Sequence, residues 1–177
     1  MRKVLFLVLV LASNGVMAQM SADSVCKNLK SCSEWMSKKT GVIFDLGKME
    51  RRSLKTEKDF DLSEGDPETL FSYILSQSDM TKIKRDSGAY EVIALREIKD
   101  FTFPVLKNEE IRPSYDIQAT EFVFSNNIKL KNAVLMIKKL ISKNGRVVQA
   151  SEGNRIFVTD TGFQLIMFKN LISELNK

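Results

Sequence analysis

The 177-residue chain carries 27 Lys and Arg against 22 Asp and Glu, a formal charge of +5, and has no histidine. Its 44% hydrophobic and 28% charged residues are those of an ordinary globular protein, which excludes collagen, an extended coiled coil and wholesale disorder. Without histidine there is no His-based triad, no His-ligated metal and no imidazole general base, and the positive charge is too small by itself to argue for nucleic acid.

Met1-Arg2-Lys3 is a short positive start, followed by a continuous apolar run from Val4 to Ala12 and by the small-x-small pattern Val16-Met17-Ala18. This is the pattern of a cleaved secretory signal over residues 1–18, with Gln19 as the mature N-terminus. Nine apolar residues are far short of the roughly 20 that span a bilayer, so no direct membrane span is expected. The residues before Cys26 do not form a lipoprotein box. The expectation is an exported protein without a lipid anchor, in a bacterium periplasmic. Export makes a disulfide between Cys26 and Cys32 a candidate. Two arrangements are open. One helix running through both cysteines would hold them about 9 Å apart along its axis, beyond bridging distance. A non-helical lead-in at Cys26, with a helix capped at Ser31-x-x-Glu34, would let the bridge form.

In chain order, Ser24 to Lys39 reads as a helix closed by Thr40-Gly41, and Val42 to Leu46 as a short strand. Gly47 to Lys58 is charged with few apolar anchors and reads as solvated strand or loop. Asp59 to Leu62 alternates like a strand end. Asp66-Pro67-Glu68 starts a helix: a capping Asp, Pro in the first turn, then an acid at the positive end. Thr81 to Arg85 and Ala89 to Leu95 form a hairpin about Asp86-Ser87-Gly88. Residues 104–118, bracketed by Pro104 and Pro113, read as a linker, with one short strand around Phe101 to Val105.

The last unit, residues 119–177, is strand, helix, strand, strand, helix. Leu130, Val134, Ile137 and Ile141 fall on one helical face that Asn144-Gly145 ends. Arg146 to Ala150 and Arg155 to Thr159 pair across the turn at Ser151 to Asn154, and Gly162 precedes a final helix with Leu165, Phe168, Ile172 and Leu175 on one side. The fold class expected is α+β in two small modules, residues 19–103 and 119–177. Leu135 and Ile166 lie off their apolar stripes and are candidate interface residues.

The last unit resembles the repeated periplasmic modules of bacterial secretins, the outer-membrane channels of type II secretion, type IV pili and type III secretion. Three segments carry the likeness: Ile128-Lys129-Leu130-Lys131-Asn132-Ala133, Ser142-Lys143-Asn144-Gly145-Arg146-Val147-Val148, and Asn154-Arg155-Ile156-Phe157-Val158-Thr159-Asp160-Thr161. Upstream, Thr40 to Phe44, Asp66 to Leu70 with Ile74-Leu75, and the Lys84 to Ile93 hairpin resemble the first secretin domain, a unit shared with signalling modules of TonB-dependent receptors. The resemblance implies modules that pack into rings and dock on an outer-membrane secretin channel or on inner-membrane secretion components. The sequence lacks the long amphipathic channel-forming region, so the expectation is an accessory or scaffold subunit, not the pore.

Other readings are weaker. The βαββα unit is also similar to K-homology domains, but no G-x-x-G loop occurs to clamp a nucleic-acid backbone, and export argues against that partner. For an enzyme, the acid pairs Asp59/Asp61 and Glu109/Glu110 are the visible candidates, with no supporting cluster. No catalytic residue, cofactor or metal site is therefore expected. The alternative function is a stand-alone exported binding or signalling module, similar to the signalling domain of TonB-dependent receptors.

Overall fold

The computed structural model describes residues 25–55, 61–62 and 65–177. The expected signal peptide and residues Asp59 and Phe60 lie outside the described residues. The chain is α+β and forms two small modules.

In the first module α1 (Leu29–Thr40) is followed by β1 (Phe44–Asp45), a short 3-10 turn (Gly47–Met49), α2 (Pro67–Gln77), and the hairpin β2 (Met80–Lys84) and β3 (Tyr90–Ala94). Helix α1 begins later than the sequence suggests. Asn28 is the cap: its side-chain oxygen accepts the Ser31 N–H at 2.9 Å, while the Ser31 hydroxyl accepts the Asn28 N–H. Ser31, expected as the cap, is therefore the third residue of the helix. Cys26 stays in the lead-in, its Cα lies 4.2 Å from that of Cys32, and the two are joined by a disulfide. At the other end Gly41 adopts φ 72° and returns its N–H to the Ser37 carbonyl, a left-handed closure that suits glycine.

The first sheet has the order β1-β3-β2, with β1 parallel and β2 antiparallel to β3. Helices α1 and α2 pack on it through Leu29, Met36, Phe71, Ile74, Leu75 and Met80, and the Phe44 ring meets Phe71 edge-on at 4.9 Å. The charged stretch after β1 is fastened more firmly than its composition suggests. The Leu29 N–H donates to the Arg52 carbonyl, Asn28 bridges Ser53, and Met49 and Leu54 pack on the core.

The second module holds β4 (Val105–Leu106), β5 (Ile117–Val123), α3 (Leu130–Leu140), β6 (Arg146–Gln149), β7 (Arg155–Thr161) and α4 (Gly162–Leu175), after a 3-10 segment at Leu95–Asp100. Its sheet has the order β4-β5-β7-β6. Helix α3 packs over β6, and α4 packs over β5 and β7. Alternation along β7 buries Ile156, Val158 and Asp160 on one face, and Ile156 and Val158 join Phe122, Ile137, Leu165, Phe168 and Ile172 in the core.

Two expectations need correction here. The stretch 104–118 is not a free linker: β4 lies at Val105–Leu106, pairs in parallel with β5, and Ile117 already belongs to β5. Gly145 does not end α3, which stops at Leu140 with Ile141 extended. A Cβ at Gly145 would lie 2.3 Å from Ile141 and 2.6 Å from the Asp160 carboxylate, so the glycine is required by close approach. That carboxylate is fully buried and accepts the Ser142 N–H at 2.9 Å and the Thr161 N–H at 2.7 Å. Thr161 caps α4 by accepting the Gln164 N–H. Asn154 donates its side-chain amide to the carbonyls of Phe124 and Ser125, fixing the exit of β5. The segment Asn154 to Thr161 thus ties three connections together.

Replacing Cys26 and Cys32 together by alanine is expected to lower the unfolding free energy by about 2 kcal/mol, the entropy of so short a closed loop. Urea titration of oxidised parent and variant measures it; equal midpoints would show that the bridge constrains nothing.

Candidate functional site

The two modules meet through a built junction. Lys82 lies mid-strand in β2, flanked by Thr81 and Ile83, which point to the opposite face of the sheet. Its side chain is 1% exposed, far below what is usual for a lysine. The ammonium donates to Asp116 Oδ2 and to the Ser72 hydroxyl of α2, lies 3.8 Å from Glu68, and stands 5.4 Å above the Tyr90 ring. Asp116 comes from the segment entering β5, so this ion pair crosses from one module to the other. Its side chain is 20% exposed, but Oδ1 is fully enclosed and has no hydrogen-bond partner among the described residues. Burial pushes the Asp116 carboxyl above its ordinary value, outweighing the opposing pull of Lys82 and Ser72. At the rim, the Thr69 N–H and hydroxyl hold the Asp66 carboxyl below the usual range.

Around the charges lie apolar contacts. Ile83 and Ile93 of the first sheet pack against Ile98 and against Ile117 of β5. The Ile117 N–H donates to the Thr81 hydroxyl at 3.4 Å. Tyr73 of α2, Tyr115 and Phe163 of α4 form an edge-to-face series with centroids 5.1 and 5.0 Å apart. The connecting Arg112-Pro113-Ser114-Tyr115-Asp116 is held in one shape. Gln118 accepts the Arg112 N–H and donates to the Arg112 carbonyl and the Ser114 hydroxyl. Gly162 passes so close that a Cβ would sit 1.9 Å from the Arg112 carbonyl oxygen. A cleft of about 520 Å³ opens here, lined among others by Glu68, Ser72, Lys82, Arg112 and Asp116.

The sequence-predicted residues are placed elsewhere. Cys26 and Cys32 belong to the core of the first module. Leu135 stands on the outside of α3, 51% exposed. Ile166 is half-buried against the second core. Glu110 accepts the Lys107 N–H in a tight turn next to Glu109, and Asp61 is described without Asp59. The described residues contain no group of His, Cys, Asp or Glu placed to hold a metal ion. No described helix is long and apolar enough to cross a membrane. Sequence reasoning missed Lys82 and Asp116. Lys82 sits in an alternating Thr-Lys-Ile-Lys strand, where a lysine reads as solvent-facing, and only the packing of α2 and of the 112–116 segment encloses it.

No protein-family model and no curated protein sequence matches the chain. Its likeness is to solved structures. A chain of the Klebsiella pneumoniae type II secretion system outer membrane complex, with PulD, PulS and the PulC HR domain, superposes with a TM-score of 0.66 at 12% identity, over 90% of this chain and 26% of that one. The N-terminal domain of the secretin XcpQ from Pseudomonas aeruginosa matches at 13% identity over 81% of this chain and 59% of that one, with a TM-score of 0.32. A chain of the Salmonella SPI-1 injectisome base, in a structure with InvG N0N1, SpaPQR and PrgHK, matches at 14% identity over 85% of this chain and 89% of that one, with a TM-score of 0.34. The chain therefore spans about a quarter of the Klebsiella chain, and at 12% identity the likeness is one of fold.

Lys82→Met leaves the Asp116 carboxylate enclosed without its cation and is expected to cost about 3 kcal/mol at pH 7. The sign of the pH dependence follows from the raised folded value. Stability contributed by the protonated carboxyl is fully present below its unfolded value, about 3.9, and is lost as pH rises through the folded value. Urea titrations between pH 4 and 7 should show Lys82→Met regaining stability toward pH 4, and Asp116→Asn free of that contribution. A Lys82→Met penalty independent of pH would contradict the pairing.

Proposed function

We propose that this protein is an exported, non-enzymatic scaffold or accessory subunit of a secretin-type protein secretion or pilus machine, acting in the periplasm by docking. The observation that carries the reading is the superposition on the type II secretion complex chain across 90% of the residues, with a TM-score of 0.66. The export signal read in residues 1–18 accords with that compartment.

The fold supplies the means. Among the described residues each module ends in sheet edges whose backbone groups can take another strand. In the first module β1 is an edge, and Ile43 beside it is 71% exposed. In the second, β6 is an edge with Val148 41% exposed. Side-by-side packing through two different surfaces closes into a ring when the rotation between copies permits, and the same surfaces can meet a channel subunit or an inner-membrane component. The contacts at the junction would lower the ordering cost of presenting two edges at once.

Crosslinking in the intact envelope followed by affinity capture tests the proposal. Recovery of a secretin channel or an inner-membrane secretion component is the expected result. A monomeric protein with no envelope partner would refute it.

A further inference from the structure

We infer that the flank of the second module built by α3 and β6 is a docking surface for an extended, acidic segment of a partner protein. The inference rests on the docking reading above but not on which machine is served. Between Glu121 and Glu152 there is no acidic residue, while Lys129, Lys131, Lys138, Lys139, Lys143 and Arg146 supply six positive charges. None of the six takes part in an ion pair among the described residues.

Helix energetics do not account for this distribution. Lys138 and Lys139 in the last turn of α3 are favoured by the negative helix end. Lys129 and Lys131 are at the other end, where cations are unfavourable, and Lys129 is the N-cap position with no side-chain cap. An ordinary solvated helix would carry Glu or Asp there, and α3 has none. The like charges become favourable together only when an anionic partner lies across them.

An apolar anchor sits among these charges. Leu135 is 51% and Leu140 45% exposed, and with Asn132, Met136 and Lys139 they line a shallow hollow of about 380 Å³. The hollow fits one or two apolar side chains of a segment whose acids pair with the lysines. Beside it the outer edge of β6 has no strand partner among the described residues, and β6 is at the opposite edge of the sheet from β4. A bilayer surface is the poorer fit, because the apolar stripe of α3 is turned into the core and no exposed aromatic anchors the flank. Single-stranded nucleic acid is poorer still, since α3 and β6 offer no aromatic for stacking.

The test uses the full chain and a fluorescein-labelled peptide of alternating Glu and Ser with two central leucines, against the same peptide with Gln for Glu. Fluorescence anisotropy should show binding of the Glu peptide only, weakening with salt. The double variant K138E/K139E should reduce affinity roughly tenfold or more, and Leu135→Ser should reduce it with less effect on the salt dependence. K38E/K39E, an identical charge change in the last turn of α1, should leave it unaltered; all four lysines are exposed, so folding is preserved. Equal binding of the Glu and Gln peptides, or equal loss in the α1 and α3 variants, would overturn the inference. So would binding to phosphatidylglycerol vesicles without binding to the peptide. Those outcomes leave the envelope-capture result untouched, so the two proposals fail separately.

Discussion

Lys82 and Asp116 hold opposite charges in an enclosure shared by two modules, and the junction between the modules is constrained by that pairing. Drawing two charges out of water costs several kcal/mol each, which their mutual attraction does little more than offset. The raised Asp116 value says the same: burial wins over the neighbouring cation. The pair therefore adds little net stability. What it does is penalise any arrangement that separates the modules partway, because either charge alone in that cleft is uncompensated. The attraction that closes the junction comes from Ile83, Ile93, Ile98 and Ile117 and from the Tyr73-Tyr115-Phe163 series.

That division of labour bears on the proposed docking surfaces. One end of β5 is covered where Ile117 meets the first sheet, while Val123 at its other end is 57% exposed. The junction occupies the β5 side of the second sheet and leaves the β6 side open. In this arrangement the basic flank and the β6 edge lie in the second module away from the junction, and the β1 edge lies in the first. The proposed role of meeting two neighbours would benefit from such an arrangement, since flexible modules would have to be ordered on each encounter.

Much of the architecture could be read before the structure, and for identifiable reasons. Asp66 with Pro67 started α2 where expected, because cap and first-turn chemistry are local. The hairpin of β2 and β3 and the alternation of β7 followed from period-two patterning. What escaped depended on contacts distant in sequence. Asn28 displaced Ser31 as the cap because the chain returns there, with Ser53 bridging Asn28 and Arg52 receiving the Leu29 N–H. Gly145 read as a helix stop, yet its reason is the Asp160 carboxylate arriving from β7. The 104–118 stretch looked like a linker because its two short β4 residues gain meaning only by pairing with β5. Lys82 was hidden most completely: no local pattern distinguishes a lysine destined for a buried ion pair from one left in water.

Residual dipolar couplings of the backbone amides in a weakly aligned sample of the full chain test the rigid junction most directly. The account predicts that couplings from residues 65–94 and from residues 117–175 fit one common alignment tensor in the orientation described here. Two tensors of different magnitude or orientation would mean that the modules move independently, and the Lys82–Asp116 pair would then not join them.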